Sequence, residues 1–525
     1  MHKLKNLLIF IFLFGFSATI LGLTVRGLPG NPTQDTLNQD IWKDDGPFEL
    51  SPERGRFALL YSVVENKSLE FSIPLARFTA PDLGYSKGKY VSIFAPGVSF
   101  SVIPGYIIGK MFGLSQVGTF AMTSLFALLN FWLIKNIATR VGAHPIAAII
   151  AGLTFLFATP AFPYAVSLYQ HHISTFMILL AVYTIMRSQS LWAIAFVWFL
   201  IAASVPIDNP NIIFMIPIAI YSLLQFFIVK KNVKGWEINM RLLGVFTFIA
   251  GVIPIVLFMW FNLASHGDPL RFSGTLPSVK AIDAAGKPAV PEQVTKTENR
   301  ERYLNPETQQ KPASGFFKTR NILNGFYVHF VSRDRGILYY TPIMLIAFLG
   351  LFAHDKKYNS YKALLVGIIG FNILLYSLWG DPWGGWAFAS RYLIPSYAVL
   401  SIFLAIFMTK YIRRFIVLAP LLILFAYSVS VNTLGAITTN RLPPEGEAKA
   451  LSLVSGRVEK FSYDRNIEML QANKSKSYIY QAYINKYMSA WEYYVLLVST
   501  IVGFSSIFFV YLYLSQRRGK NHAKV

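Results

Sequence analysis

Ionisable side chains interrupt this apolar sequence mainly at the ends of its long apolar segments. His171 and His172 precede one segment, Asp208 lies between two prolines ahead of another, and Asp381 and Arg391 bracket a third. Charged residues inside a membrane usually mark an ion or substrate pathway, and the segment interiors carry almost none. This pattern argues against an ion- or proton-coupled transporter. A ring of polar residues at the helix ends instead predicts a reaction at the outer membrane surface.

The segment Gly380–Tyr392 combines glycines, tryptophans and an arginine. Glycines let a ligand approach the backbone closely. Trp383 and Trp386 either stack on a sugar or anchor the membrane interface, as aromatic belts do. Arg391 either holds a phosphate through paired hydrogen bonds or extends its charged end to the membrane surface. An arginine at an outer helix end runs against the positive-inside bias, which favours a functional role.

A helix start with nearby charges lies in the first long polar stretch. Ser51 followed by Pro52 is a strong signal for the beginning of a helix. Glu53 falls in the first turn of this helix, with Arg54 and Arg56 beside it. Glu53 either complements the helix dipole or takes part in chemistry. The apolar residues that follow share one face, which predicts an amphipathic helix on the membrane surface.

The elements that must position these residues are long apolar helices. A bilayer core of about 30 Å needs about 20 apolar residues in a helix. Hydrophobic residues make up 54% of the chain and the mean hydropathy is +0.45, which excludes a soluble fold. We therefore expect an all-α polytopic membrane protein whose helices cross at Leu7–Leu23, Val117–Ile134, Pro145–Pro160, Ser174–Met186, Leu191–Val205, Ile212–Val229, Leu242–Leu263, Gly336–Ala353, Ala363–Leu378, Tyr392–Met408, Phe415–Val431 and Tyr493–Leu514.

Loop charges predict the orientation, because cytoplasmic flanks collect Lys and Arg. With both termini inside and twelve crossings, every basic cluster on a short loop faces the cytoplasm. This agreement requires that Tyr90–Phe112, broken by prolines and glycines, does not cross but forms a re-entrant or interfacial element outside. The inner clusters are then Lys3 and Lys5, Lys135 and Arg140, Arg187, Lys230, Lys231, Lys234 and Arg241, Lys356 and Lys357, Lys410, Arg413 and Arg414, and Arg517, Arg518 and Lys520.

The chain divides at these crossings into alternating helical and polar parts. Three polar stretches face outward and are long enough to carry a site. The predicted parts are the first helix (1–23), an outer loop with surface helices (24–116), helices two to seven (117–263), a second outer loop (264–335), helices eight to eleven (336–431), a third outer loop (432–492), and the last helix with a basic cytoplasmic tail (493–525).

The net charge and the cysteine count narrow the function further. A net charge of +22 would suggest nucleic acid in a soluble protein, but here it mostly anchors inner helix flanks. We expect no nucleic-acid partner. The absence of cysteine excludes disulfides and thiolate metal sites.

Several of these stretches together resemble the GT-C superfamily of polytopic glycosyltransferases, which includes protein O-mannosyltransferases and the lipid A aminoarabinose transferase. The matching stretches occur in order over residues about 50 to 400. They are Glu53–Glu65, the Tyr-Val-Ser-x-x-Ala-Pro-Gly element within Gly88–Gly97, Tyr169–His172, Ser265–Leu270, Ser332–Pro342 and Trp383–Tyr392.

The resemblance implies that an inverting transferase moves a sugar from a polyprenyl-phosphate carrier to an acceptor on the outer face. An acidic side chain would activate the acceptor, and Glu53, or Glu49 near it, falls at that position. Cationic groups would hold the phosphate leaving group. Relatives often carry Lys where Phe94 stands here, so the phosphate role passes to Lys89, Arg391 or Arg333, or activity has been lost. His171, His172, Asp208, Asp381, Trp383, Trp386 and Tyr392 complete the expected donor site.

The main hypothesis is thus a glycosyltransferase of the cell membrane with its active site on the outer face. Its expected partners are a polyprenyl-phosphate sugar, a lipid, glycan or protein acceptor, and membrane lipids. The loop that ends at Tyr169–His172 offers no Asp-x-Asp pair, so no metal or other cofactor is implied. The alternatives are a transporter or flippase for lipid-linked glycans and a non-catalytic scaffold of the same fold. Glu53 and Arg391 are expected to face one cavity at a hydrated rim.

Overall fold

The computed structural model describes residues 2–43, 46–232, 235–291, 297–309, 311–353 and 358–522. Lys234, Lys356 and Lys357 of the predicted inner clusters lie outside the described residues. In chain order the helices are α1 (His2–Thr24), α2 (Ser51–Val64), α3 (Ile73–Thr79), α4 (Gly97–Ser101), α5 (Ile103–Met111), α6 (Ser115–Arg140), α7 (Pro145–Phe157), α8 (Ala161–Ala165), α9 (His171–Arg187), α10 (Leu191–Ser204), α11 (Asn211–Phe214), α12 (Ile216–Leu224), α13 (Ile249–His266), α14 (Thr297–Leu304), α15 (Ile322–Phe330), α16 (Ile337–Tyr340), α17 (Ile343–Leu349), α18 (Asn359–Ser377), α19 (Ile394–Tyr411), α20 (Phe415–Ile437), α21 (Glu445–Ser455), α22 (Asp464–Gln471) and α23 (Ala490–His522).

Short antiparallel strands complete the described secondary structure. They are β1 (Leu83–Ser86), β2 (Lys89–Ser92), β3 (Phe227–Asn232), β4 (Gly235–Met240), β5 (Ser278–Val279), β6 (Ala281–Ile282) and β7 (Pro288–Ala289). One sheet has the order β2-β1-β5, and the other two are the hairpins β3-β4 and β6-β7.

The prediction of an all-α polytopic membrane protein is confirmed. Each of the twelve predicted apolar segments contains a helix. Within the described residues, seven helices are long and apolar enough to cross a membrane. They are Leu7–Thr24, Ser115–Arg140, Leu242–His266, Asn359–Ser377, Arg391–Tyr411, Phe415–Ile437 and Ala490–Arg517; the shorter apolar helices include Pro145–Phe157, Leu191–Ser204, Asn211–Leu224 and Ile343–Phe352.

The predicted re-entrant stretch Tyr90–Phe112 is broken in the structure. It contains the end of β2 and two short helices, α4 and α5, of five and nine residues. Neither helix approaches the about 20 residues that a crossing needs. Helix α5 packs closely against α6, since a Cβ at Gly105 or Gly118 would overlap the carbonyl oxygen of the other glycine. That this stretch remains on the outer face stays a prediction.

The three predicted outer stretches meet in one layer at one end of the helices. Strand β5 of the second stretch pairs with β1 of the first. The amide of Tyr478 in the third stretch donates to the carbonyl of Val25 in the first at 2.9 Å. The amide of Glu445 donates to a carboxylate oxygen of Asp334 at 2.9 Å. These contacts join the three stretches into what we call the loop layer, and its orientation toward the cell exterior stays a prediction.

Helix α2 is embedded among the residues of the loop layer, whereas the sequence predicts an amphipathic helix on the membrane surface. Phe57 packs against Phe48 with ring centroids 4.6 Å apart, in an apolar cluster that also contains Phe78 and Phe120. Most of α2 is buried, including Glu53 and Arg56. Protein therefore surrounds the first turn of α2, which carries charges into the interior.

Candidate active site

A cluster of buried charges lies just before α2. Arg26 Nη1 is 2.8 Å from Glu49 Oε1, and Lys476 Nζ is 3.3 Å from the same oxygen. The Thr439 hydroxyl donates to the other oxygen, and the Asn440 amide donates to Oε1 at 3.3 Å. Burial alone would raise the pKa of Glu49, but Lys476, Arg26 and these hydrogen bonds lower it. Glu49 is thus an ionised carboxylate with its oxygens already engaged.

Glu53, one turn later, is in a different state. Its side chain is fully buried, and Oε2 accepts a hydrogen bond from the Leu50 amide at 3.4 Å. Among the described residues, no group forms a hydrogen bond with Oε1. Burial raises the pKa of Glu53 to about 8, with ionised Glu49 adding to the rise against the opposing effect of Arg26. Glu53 is therefore mainly protonated at neutral pH, and the expectation that it lies at a hydrated rim is wrong.

A small polar cavity opens beside the first turn of α2. It has a volume of about 150 Å³ and lies between α2, the loop before α9, the loop after α10 and the start of α19. Two arginines belong to its wall, so we name it the arginine cavity. Its lining residues are Pro52, Arg56, Phe94, Tyr169, Gln170, Asp208, Pro210, Tyr376, Trp379, Arg391 and Tyr392.

Arg56 reaches this cavity because it lies four residues after Pro52, on the same face of α2. Its guanidinium donates to Gln170 Oε1 at 2.6 Å and to the Pro52 carbonyl at 3.1 Å. Burial lowers the pKa of Arg56 to about 10, with Asp208 opposing the shift, so it remains charged at neutral pH. The guanidinium carbon lies 4.9 Å from the centre of the Phe94 ring. Phe94, in place of the lysine expected from the resemblance, thus packs against a cation.

Arg391 occupies another part of the same wall. Its Nη2 donates to the Gly384 carbonyl at 2.7 Å. No described residue forms a hydrogen bond with Nε or Nη1. The guanidinium lies over the Tyr169 ring at 5.1 Å and the Tyr392 ring at 5.7 Å. Two guanidinium nitrogens of this largely buried arginine thus lack a described hydrogen-bond partner, and both are themselves buried.

Asp208 provides the carboxylate of the arginine cavity. Gln170 connects it to Arg56, because the Gln170 side chain accepts from Arg56 and donates to Asp208 Oδ2 at 3.3 Å. Burial raises the pKa of Asp208 to about 6, although Arg56, Gln170 and Arg391 favour its ionised form. Near neutral pH this side chain is mainly ionised and can accept a proton.

A larger apolar groove adjoins the arginine cavity. Its volume is about 450 Å³, and the two spaces share Arg56, Phe94, Asp208, Pro210 and Trp379. The remainder of the lining is mostly apolar and includes Ile93, Ala95, Ile207, Ile212, Ile213, Phe272, Phe316 and Phe317. Ile212 is 54% exposed, so the groove reaches the surface of the helices. The arginine cavity and the apolar groove therefore adjoin, with charged side chains in the cavity and mainly apolar ones along the groove.

The structure brings Asp208, Arg391 and Tyr392 together and places His171 next to them. The Tyr392 ring stacks on Tyr376 with centroids 4.0 Å apart. The buried His171 ring stacks on Tyr169 and lies 6.4 Å from Tyr392. His171 therefore supports the aromatic wall of the cavity from behind.

Other residues expected to bind the donor have different surroundings. His172 is fully buried, with Nε2 2.8 Å from the Ala161 carbonyl oxygen. Lys89 is half exposed on β2 and forms an ion pair with Glu70. Arg333 is exposed. His172, Lys89 and Arg333 do not line the arginine cavity, so the structure does not bring these three predicted donor-site residues together with Arg391.

The remaining predicted residues shape the segment that carries Arg391. Asp381 accepts a hydrogen bond from the Gly385 amide at 2.6 Å, and the Trp383 carbonyl accepts one from Arg335 Nε at 3.1 Å. Trp386 donates through Nε1 to Glu447 at 2.8 Å, away from the arginine cavity. Asp381, Trp383 and Trp386 are thus absent from the cavity lining, and sugar stacking, one of the two roles considered for the tryptophans, has no support from this cavity.

Comparisons with known proteins find similarity only to solved structures, at low sequence identity. No model of a known protein family matches the chain, and no curated protein matches it. Among solved structures, apo ArnT from Cupriavidus metallidurans is 13% identical, with a TM-score of 0.46 over 98% of this chain and 76% of that one. ArnT bound to undecaprenyl phosphate is 12% identical, with a TM-score of 0.40 over 95% and 77%. AglB, an archaeal oligosaccharyltransferase from Archaeoglobus fulgidus in complex with an inhibitory peptide and a dolichol-phosphate, is 13% identical, with a TM-score of 0.39 over 94% and 56%.

Sequence reasoning missed several residues that build this region. Arg56 was noticed only as a neighbour of Glu53, although its helical spacing from Pro52 would have placed both on one face. Arg335 is fully buried and donates to the carbonyls of Trp383, Gly385 and Leu442 at 2.9 to 3.1 Å. It holds the backbone turn that carries Arg391. Arg26 and Lys476 give no local sequence signal of their contacts, and Tyr169 and Gln170 belong to a stretch that carries the resemblance but has no role assigned to these two residues.

Proposed function

We propose that this protein is a membrane glycosyltransferase that transfers a sugar from a polyprenyl-phosphate donor to an acceptor. The observation that carries this proposal is the arginine cavity with its adjoining apolar groove. In the lining of the arginine cavity, Arg56 and Arg391 supply two positive charges and Asp208 one negative charge, which suits a singly charged phosphodiester. Asp82, which lines the groove, pairs with Lys280 at 3.4 Å. The groove offers apolar surface for the first part of a prenyl chain.

The residues of the cavity suit an inverting displacement. An acceptor hydroxyl attacks the anomeric carbon, the bond from that carbon to the phosphate oxygen breaks, and its electron pair remains on the phosphate. Arg56 and Arg391 stabilise the charge that develops there. The hydroxyl proton passes to a carboxylate. We assign this base to Asp208, because it lines the cavity and is mainly ionised near neutral pH, whereas Glu53 does not line it and is mainly protonated.

The test uses the purified full-length chain in nanodiscs with labelled polyprenyl-phosphate sugars and a panel of lipid, glycan and peptide acceptors. Asp208→Asn preserves the shape of the side chain but removes the base, so turnover should fall at least about 100-fold while donor binding is retained. Asp268→Asn is the matched control, since Asp268 is exposed and lies outside the cavity lining. Wild-type turnover should also rise with pH through about 6, as Asp208 loses its proton.

Three outcomes would count against parts of this proposal. If Asp208→Asn is fully active and Glu53→Gln is inactive, the catalytic base is Glu53, as the resemblance implies, and not Asp208. Donor binding without transfer to any acceptor would favour the non-catalytic scaffold. Movement of an intact lipid-linked glycan across the bilayer, without sugar transfer, would favour the flippase.

A further inference from the structure

A second and larger cavity lies within the third predicted outer stretch. Its volume is about 580 Å³, within the roughly 300–1,000 Å³ typical of small-molecule sites. We name it the basic pocket. Its lining residues are Thr439, Arg441, Arg465, Met469, Asn473, Lys474, Ser475, Lys476, Tyr480, Gln481 and Asn485.

The ionisable groups that line the basic pocket favour an anion. Four of its lining residues are Arg or Lys, and none is Asp or Glu. Two of these cations pair with carboxylates outside the lining, Arg465 with Glu459 at 2.9 Å and Lys476 with Glu49 at 3.3 Å. Lys474 is exposed, and the Arg441 guanidinium lies 5.3 Å from the centre of the Trp386 ring. Basic side chains thus outnumber acidic ones in the lining of a space large enough for a sugar phosphate.

The basic pocket is connected to the arginine cavity through one short segment. Lys476 and Thr439 line the basic pocket and also bind the Glu49 carboxylate. Pro52 and Arg56, within two helical turns of Glu49, line the arginine cavity. Residues 49–56 thus contact the walls of both spaces, and a ligand in each would approach this segment from a different side.

We propose that the basic pocket is a second ligand site that binds a phosphate-bearing group. The inference rests on the proposed function in one respect: in a transferase, this group belongs to the acceptor, since the arginine cavity holds the donor phosphate. Arg465 and Lys474 supply charge-assisted hydrogen bonds to the phosphate oxygens. The phosphate is carried either by a soluble glycan or by a lipid headgroup, which the two arms of the test distinguish.

The first arm measures binding of glucose 6-phosphate and of unphosphorylated glucose to the full-length protein in neutral detergent by calorimetry. The second compares nanodiscs of phosphatidylglycerol with nanodiscs of phosphatidylcholine by bound lipid after detergent extraction. The test variant is Lys474→Gln/Arg465→Gln. Glu459 keeps a partner in this variant, because Arg457 lies 2.5 Å from it. The matched control is Lys486→Gln, an exposed lysine in the same stretch but outside the pocket lining.

We expect binding of the phosphorylated probe to weaken at least 10-fold in the double variant and to stay unchanged in Lys486→Gln. A response to phosphatidylglycerol alone, lost in the double variant, identifies the lipid headgroup as the source. Equal binding by wild type and double variant in both arms overturns the proposal, as does an equal loss in Lys486→Gln. These two assays measure binding and not turnover. A protein that binds the probe but is inactive in the transferase assay would therefore refute the proposed function and leave the pocket assignment intact.

Discussion

Arg391→Lys is the substitution that most directly tests the arginine cavity. Arg391 uses Nη2 to bind the Gly384 carbonyl at 2.7 Å and leaves Nε and Nη1 without a hydrogen-bond partner among the described residues. A lysine retains the charge but has a single nitrogen, which cannot span both the carbonyl and a phosphate as the planar guanidinium does. The variant should therefore lose at least one charge-assisted hydrogen bond to the donor.

A hydrogen bond to a charged group contributes about 1.5–3 kcal/mol, which corresponds to roughly 10- to 150-fold in affinity. We expect the Kd for a labelled polyprenyl-phosphate sugar, measured in nanodiscs, to rise by that factor, and turnover to fall as well. The melting temperature should also fall, because Arg391 is buried and holds Gly384. Binding is therefore expressed per folded molecule.

Arg333→Lys is the control, because Arg333 was an equal candidate from the sequence but is exposed and outside the cavity. It should bind the donor as wild type does. Donor binding by Arg391→Lys at the wild-type level would refute the assignment of Arg391 to the phosphate. An equal loss in Arg333→Lys would show that the effect is one of general surface charge.

Two further predictions concern the carboxylates at the start of α2. The pKa of Glu53 is 4.5 in the unfolded chain and about 8 in the folded protein. Between these pH values the folded state binds one more proton than the unfolded state. The wild-type protein therefore loses stability as the pH rises from about 4.5 to 8. Glu53→Gln resembles the protonated side chain; its melting temperature should match wild type near pH 5 and exceed it above pH 8, and parallel melting curves would contradict the raised pKa. Glu49→Gln leaves Arg26 and Lys476 without their shared carboxylate and should destabilise the protein by about 3–5 kcal/mol, measured by denaturant unfolding in micelles. Glu468→Gln, which breaks an exposed pair with Lys460, should cost under about 1 kcal/mol; a similar cost for both would mean that the buried cluster contributes no more than a surface pair.

The helical architecture was predictable because it depends on composition over long windows. About 20 apolar residues in succession leave few alternatives to a membrane helix. The break in Tyr90–Phe112 was predictable for a similarly local reason, since its prolines cannot continue a helix without loss of hydrogen bonds. The pairing of β1 with β5 was not predictable, because it consists of only two residue pairs between positions nearly 200 residues apart.

The site was only partly predictable, because partner choice decides the role of a charged residue. The sequence offers Arg391, Lys89 and Arg333 as alternative phosphate ligands, and only Arg391 has a further argument from its position at an outer helix end. In the structure Lys89 has a carboxylate partner and Arg333 faces solvent, whereas Arg391 lines a cavity and has two buried donors without a described partner. Similarly, the Trp386 indole is bound to Glu447, 61 residues away. Such pairings depend on how the loop layer packs, and local sequence patterns do not predict that packing.

The buried charge cluster explains how that packing is made specific. Removing Arg26, Glu49 and Lys476 from water costs several kcal/mol for each ion, so their burial is a poor source of stability. Arg26 nevertheless also donates to the Gly435 carbonyl at 2.6 Å and to Asn440 at 2.9 Å. The first and third predicted outer stretches therefore have to pack in one relative position for these charged groups to find their hydrogen-bond and ion-pair partners. Since Glu49 immediately precedes α2, the same requirement fixes the start of that helix, and with it the position of the Arg56 guanidinium in the arginine cavity.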